Sequence, residues 1–287
     1  MRQKFIETEE FDLELTLTCG QTFSWHRVSG TLYEDGNPHF YTFRDGKPVI
    51  VEETDRGLKV RTELEMSRVR SALGLDHDLD KIFSTFPEDE NLEDARASVR
   101  GLRIVNDEFF PCLISYLCSP QMRIPRIKKM YNSMAREYGD TVTVDGIEMY
   151  NFPKASRLSE VSEQDLRDLG IGYRAKYIAE TTSILTEESF RPEDLENMEY
   201  EEARERMKDL HGVGNKVADC VLLFSLNFLQ SCPIDTWVSN TLEKAYPELV
   251  GESYEETSAS VRDYFGPYTG YAQEYLFHAA REGMLDI

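Results

Sequence analysis

The residues best placed to do chemistry are a lysine and an aspartate. Lys216 lies in Leu210-His211-Gly212-Val213-Gly214-Asn215-Lys216-Val217-Ala218-Asp219-Cys220, and Asp235 in Pro233-Ile234-Asp235-Thr236-Trp237. Gly212 and Gly214 predict a tight turn whose backbone takes positive φ and comes close to a partner. The amides of such a turn, with those of the next helix's first turn, form a partly positive socket for a phosphate oxygen. A C-cap glycine followed by a fresh helix fits the same residues. Lys216 falls in the first helical turn, at the positive end of the dipole. With Val217, Val221 and Leu222 behind it, that placement favours the neutral amine, which is a nucleophile where an ammonium is not. A snorkelling surface lysine is the plainer alternative. Asp235 suits an N-cap before Thr236-Trp237-Val238, and a capping carboxylate can still face a reaction centre. Only tertiary folding can bring the two together.

The elements that must do so divide into two kinds. Phe11 to Leu17 alternates apolar with polar, which predicts a half-buried strand. After a break at Cys19-Gly20-Gln21, strand-like runs follow at Phe23-Ser24-Trp25, Thr31-Leu32-Tyr33, 39–43, 49–51 and 57–60. Asp35-Gly36, Asp45-Gly46 and Arg56-Gly57 suit the tight turns between them. From Thr62 onward, helical spacing takes over at Leu64-Val69-Leu73, Leu79-Ile82-Phe83-Phe86 and Ala95-Val99. Further helices are predicted at 104–117 (interrupted at Pro111), from Ser162, after Gly172, and at 200–210, 217–228, 235–246 and 271–281. Residues 147–153 read as an extended or looped link. The expected class is α+β: a small antiparallel β-sheet domain with flanking helices (1–98), then an all-α helix–hairpin–helix domain (99–287).

Composition sets limits. At 287 residues the chain can bury a real core. No apolar run is long enough to span a bilayer, and Met1 to Glu7 lacks the apolar core of a signal peptide, so a cytoplasmic protein is expected. The five cysteines (Cys19, Cys112, Cys118, Cys220, Cys232) are scattered, without a CxxC pair. That excludes a disulfide framework and a four-cysteine zinc or iron–sulfur site, and no cofactor or metal is implied. The net charge of −21 runs against the basic face usual in a nucleic-acid binder. With arginine commoner than lysine, it looks like the surface of a protein from a salt-loaded cytoplasm. There the Debye length falls to roughly 3 Å and self-repulsion costs little.

Taken with the other motifs, residues 210–220 and 233–235 resemble the helix–hairpin–helix DNA glycosylases, and within them the 8-oxoguanine DNA glycosylase/lyase branch. The resemblance extends to Thr18-Cys19-Gly20-Gln21-Thr22-Phe23-Ser24-Trp25, to Leu169-Gly170-Ile171-Gly172-Tyr173-Arg174-Ala175 and to Gly266-Pro267-Tyr268-Thr269-Gly270-Tyr271-Ala272-Gln273, in the same order. It implies that Lys216 attacks C1′ of the damaged nucleotide and expels the base. Asp235 would stabilise the charge developing on the sugar, and the resulting Schiff base would allow β-elimination. Gly20 would accept the N7 hydrogen that 8-oxoguanine has and guanine lacks, a discriminating contact because an unmatched buried acceptor is costly. Phe277 and Cys220 would sandwich the flipped base and Gln273 would read its Watson–Crick edge. Gly212 and Gly214 would grip phosphate, Tyr173 would wedge into the duplex, and Arg126 and Arg174 would lie near the opposite base. Gln121-Met122-Arg123 stands where the family has an asparagine-rich gap-filling loop, with Gln121 expected to face DNA. Trp237 stands where the family usually has a histidine.

The partner so implied is double-stranded DNA containing a damaged base, met by a monomer, with Arg123, Arg126, Arg174 and Lys176 on one face. Three rivals are weaker. Alkylpurine glycosylases on this fold generally work without the lysine. The endonuclease III branch typically carries a C-terminal four-cysteine cluster, and no cysteine follows Cys232. A non-catalytic helix–hairpin–helix binding module has no need of Lys216 and Asp235 together.

Overall fold

The computed structural model describes residues 1–28, 36–187 and 189–285. Five strands form one antiparallel sheet in the order β1-β5-β4-β3-β2: β1 (Arg2–Glu7), β2 (His26–Arg27), β3 (His39–Arg44), β4 (Lys47–Thr54) and β5 (Gly57–Thr62). β1 pairs with β5 from Arg2↔Thr62 to Glu7↔Gly57. Alternation predicts a strand at 11–17, but the structure has a helix there, α1 (Leu13–Thr18). Asp12 caps it by accepting from the Leu15 amide at 2.7 Å. The buried residues Leu13, Thr16 and Leu17 have helical spacing. Phe23-Ser24-Trp25 leads into β2 without being a strand. Thr31-Leu32-Tyr33, and Asp35 of the Asp35-Gly36 turn, lie outside the described residues.

The remaining helices are α2 (Met66–Ala72), α3 (Leu79–Phe83), α4 (Glu90–Ser98), α5 (Phe109–Leu117), α6 (Ile124–Tyr138), α7 (Ala155–Leu158), α8 (Glu163–Leu166), α9 (Arg174–Thr186), α10 (Pro192–Leu195), α11 (Tyr200–Met207), α12 (Asn215–Leu226), α13 (Thr236–Ala245), α14 (Tyr254–Phe265) and α15 (Thr269–Arg281). The helix predicted from Ile104 starts only at Phe109. Ahead of it the amides of Ile104 and Val105 are taken by Tyr271 Oη (3.3 Å) and Gln21 Oε1 (3.0 Å), which hold that stretch extended. Pro111 falls in the first turn of α5, where its missing N–H leaves nothing unsatisfied. The link at 147–153 contains β7 (Ile147–Tyr150), paired with β6 (Thr141–Val144). This hairpin contributes Met149 to a small apolar cluster with Tyr41, Phe43 and Ile50 of the sheet. The main core is continuous from Leu13 and Trp25 to Leu276 and Ala279. No helix among the described residues is long and apolar enough to cross a membrane.

The N-terminal motif acts as a clasp between the two parts. Gln21 is buried, and its amide nitrogen donates to the carbonyls of Thr16 (2.8 Å) and Arg103 (2.7 Å). Its own carbonyl accepts from Tyr116 Oη at 2.8 Å. Thr22 and Ser24 both donate to the buried Asp107, at 2.6 and 2.8 Å. These bonds fix the position of Gly20 relative to α5.

Candidate active site

The two glycines of the hairpin serve different needs. Gly212 takes φ +84°, and a Cβ there would meet the Tyr177 ring at 2.6 Å. Gly214 is extended (φ −101°) and caps α12, so the expectation of positive φ at both positions is corrected. A Cβ on Gly214 would meet nothing within 4 Å; the backbone there is open to an approaching group. The turn is tied to α9 by Thr181 Oγ1 donating to the His211 carbonyl at 3.0 Å.

Lys216 projects from the first turn of α12 into a cleft of about 1400 Å³, larger than the roughly 300–1,000 Å³ of small-molecule pockets. Its Nζ donates to Ser119 Oγ at 3.1 Å and lies 4.9 Å from the centre of the Tyr116 ring. Tyr116 is itself fixed by Phe224 (stacked, 5.7 Å) and Phe23 (edge-on, 6.0 Å). The surroundings of the amine are therefore less apolar than Val217, Val221 and Leu222 suggest: a hydroxyl and an aromatic face, which favours a cation above it, meet it directly.

Asp235 caps α13. One oxygen, Oδ1, accepts from both the Trp237 and Val238 amides at 2.9 Å, which leaves Oδ2 available to the cleft. Asp235 and Lys216 line the same cleft, and both act electrostatically on Cys220 and on Glu274. Capping and facing a reaction centre are thus compatible at this residue.

Gly20, Cys220, Gln273 and Phe277 line the same cleft. Gly20 has φ +118°, a conformation that L side chains rarely adopt, and a Cβ there would meet Ile124 Cδ1 at 2.6 Å. Burial pushes the Cys220 thiol up to about 12, so it stays a neutral, soft wall. Gln273 is 6% exposed and its Oε1 has no hydrogen-bond partner, which is costly unless something enters the cleft to meet it. Phe277, on the same face of α15, carries the Arg281 guanidinium 5.4 Å from its ring centre.

Gln121 is exposed at the cleft mouth with φ +59°, the kind of backbone strain that collects at functional sites. Nearby, Arg126 donates to the Gly170 carbonyl at 2.6 Å, linking the first turn of α6 to the turn before α9. Tyr173, on that turn, is 47% exposed. The expected single basic face needs correction. Arg123 lines the cleft and Arg126 is exposed, but Arg174 is 3% exposed with its guanidinium bonded to the Pro120 carbonyl. It braces the loop carrying Gln121 instead of presenting charge to solvent. Lys176 is exposed and faces Glu180 at 3.8 Å. Among the described residues, no three His, Cys, Asp or Glu side chains converge to hold a metal ion.

Sequence reasoning missed Ser119 and Tyr116, which hold the lysine, and Glu274, a buried carboxyl on the cleft wall. Cys118-Ser119-Pro120 reads only as an interhelical loop. Glu274 stands next to Gln273, and that adjacency was the one available signal.

A two-glycine hairpin, a lysine and a capping aspartate lining one deep cleft, and an unpartnered Gln273 oxygen in its wall are the features expected of a DNA base-excision protein. Residues 114–267 match the HhH-GPD superfamily of base excision DNA repair proteins, and residues 4–113 match the N-terminal domain of 8-oxoguanine DNA glycosylase; the chain belongs to this superfamily. It is 32% identical to the probable N-glycosylase/DNA lyase of Methanothermobacter thermautotrophicus, over 98% of this chain and 97% of that protein. It is 32% identical to the N-glycosylase/DNA lyase OGG1 of Arabidopsis thaliana, over 94% of this chain and 77% of that one. Its fold matches the 8-oxoguanine glycosylase/lyase of Clostridium acetobutylicum, solved with double-stranded DNA containing cytosine opposite 8-oxoguanine, with a TM-score of 0.86 at 29% identity over 98% of this chain and 99% of that one.

Proposed function

We propose that this protein is a bifunctional DNA glycosylase and abasic-site lyase of base excision repair that flips and removes oxidised guanine, 8-oxoguanine above all. The observation that carries this reading is that one cleft is lined by Lys216, Asp235, Gly20, Cys220, Gln273 and Phe277 together. Lys216, oriented by Ser119, attacks C1′ as the glycosidic bond breaks. Asp235 Oδ2, the oxygen not used in capping, stabilises the positive charge on the sugar. The amine and the sugar form a Schiff base, and β-elimination then releases the 3′ phosphate. The base sits between Phe277 and Cys220, with Gln273 Oε1 on its Watson–Crick edge and the Gly20 carbonyl on N7–H. Gly212 and Gly214 bring backbone amides to a phosphate. Tyr173, Gln121 and Arg126 meet the duplex at the extrusion point, and Arg174 acts through the Pro120 loop. The protein works as a cytoplasmic monomer on double-stranded DNA.

Comparing Lys216→Ala with the unaltered protein tests this against a pure binding module. The variant is expected to bind an 8-oxoguanine duplex within about threefold while losing strand cleavage by ~10⁴-fold. Parallel loss of binding and cleavage would favour the binding module.

A further inference from the structure

Glu274 has no role so far, yet it occupies the cleft wall beside every group that has one. It lies on α15 one residue after Gln273 and is 5% exposed. Its Oε2 lies 4.0 Å from Cys19 Sγ, so it adjoins the Cys19-Gly20 turn. The nearby cation is otherwise engaged: Arg281 donates to the Cys19 carbonyl, to Glu282 at 3.1 Å and to the His278 ring at 3.1 Å. Buried in this way, an ionised carboxylate without a close cationic partner is strongly disfavoured. The groups facing it are Cys19 from the turn after α1, Tyr116 from α5, Lys216 and Cys220 from α12, Asp235 at the head of α13 and Arg281 on its own helix. Burial above all lifts its carboxyl to about 7; Asp235 adds to this, while Arg281, a hydrogen bond from the Gln273 side chain and Lys216 act against it. Below about pH 7 the pocket therefore holds mainly a carboxylic acid with a proton to donate.

The placement gives that proton a target. If the Gly20 carbonyl takes N7–H of an oxidised guanine, the neighbouring ring position on that edge is the C8 carbonyl, and Glu274, which contacts the preceding Cys19 side chain, lines the same cleft. We propose that Glu274, as the neutral acid, donates a hydrogen bond to the C8 oxygen of the flipped base and so assists its departure. As the C1′–N9 bond breaks, its electron pair stays with the base and spreads over N9, C8 and that oxygen. Lys216 Nζ forms the new bond to C1′. The carboxyl hydrogen stabilises the oxygen where negative charge accumulates. This rests on the oxidised-guanine reading of the cleft and deepens it.

Single-turnover rates on an 8-oxoguanine duplex and on an abasic-site duplex, across the pH range, test it with the unaltered protein, Glu274→Gln and Glu274→Ala. Base excision by the unaltered protein is expected to fall as pH rises through about 7. Both variants should lack that falling limb, with Glu274→Ala slowed ~100-fold at about pH 6. Abasic-site cleavage, which needs no departing base, should stay within about twofold in both variants. A falling limb that persists in the variants overturns the proposal, as does equal loss on the two duplexes, which would mark a packing role. Thermal unfolding checks that the variants fold. Should neither fold, a flat or rising excision profile in the unaltered protein still overturns it. No excision by the unaltered protein, with abasic cleavage intact, would remove the substrate reading itself and the proposal with it.

Discussion

Two buried carboxyl groups, Asp219 on α12 and Glu274 on α15, are treated in opposite ways. Behind the hairpin, Asp219 is fully buried, and burial lifts its carboxyl to about 6. Tyr200 Oη and Tyr254 Oη donate to its two oxygens, each at 2.6 Å, and Ser231 Oγ donates to its backbone carbonyl at 2.9 Å. Tyr254 Oη in turn accepts from the Ile234 amide at 3.1 Å, one residue before Asp235. This closed network ties the helix bearing Lys216 to the loop bearing Asp235. Across the cleft, Glu274 is almost as deeply buried but is met only by the Gln273 side chain and a weak thiol contact, with no pair of tyrosine donors. Similar burial thus yields a structural brace where each carboxylate oxygen has a donor, and a cleft wall where the neighbouring Gln273 oxygen has none.

Breaking the closed network should have the largest effect on stability. Asp219→Ala removes the acceptor shared by two tyrosine hydroxyls, and is expected to lower unfolding free energy by about 3 kcal/mol and to slow excision and strand cleavage together. Denaturant unfolding and single-turnover kinetics check both.

The open corner should respond in the other direction. Glu274 has a folded-state pKa of about 7 against an ordinary 4.5, so the folded protein binds its proton more tightly than the unfolded chain. Stability from this group is full below about pH 4.5 and is lost as pH rises to about 7. Glu274→Gln removes that loss. The variant should match the unaltered protein near pH 4.5 and exceed it by roughly 3 kcal/mol at about pH 8, read by thermal unfolding at each pH. A variant less stable than the parent at the higher pH would erase the contrast between the corners.

A smaller effect is expected from Tyr254→Phe, which removes one hydroxyl from Asp219 and from the Ile234 amide. A cost of about 1 kcal/mol in unfolding free energy should come with a fall in kcat larger than any change in KM, because the loop before Asp235 loosens while DNA contacts remain. The smallest effect concerns salt. With a net charge of −21 and backbone amides doing much of the gripping, the logarithmic salt slope of DNA affinity should be shallow, about −3 or less steep. A filter-binding salt titration measures it; a steep slope would point to a broad basic face.

The contrast also explains what the sequence could reveal. Gly212, Gly214, Lys216 and Asp235 were legible because their meaning is local: a turn, a first helical turn and an N-cap. The change from strands to helices near Thr62 was legible from periodicity. Phe11 to Leu17 misled because Leu13 and Leu17 satisfy both alternation and helical spacing over so short a run, and the Asp12 cap decides it. β1 went unread because it is set by its partner strand β5, whereas the β6–β7 hairpin was legible in principle, from Val142 and Val144 alternating with threonines ahead of Asp145-Gly146. Arg174 is charged, which suggests an exposed face; its guanidinium is spent on Pro120 only because the loop folds over it. Glu274 had no local signal beyond its place next to Gln273. Its role depends on Cys19, far away in sequence, being packed against α15 by the Gln21 clasp.

Borohydride trapping on an 8-oxoguanine duplex, followed by mass mapping of the cross-linked peptide, tests the central claim most directly. A covalent protein–DNA adduct carried by Lys216, and lost in Lys216→Gln, is the expected result. No adduct, or an adduct on another amine that survives the substitution, would contradict it.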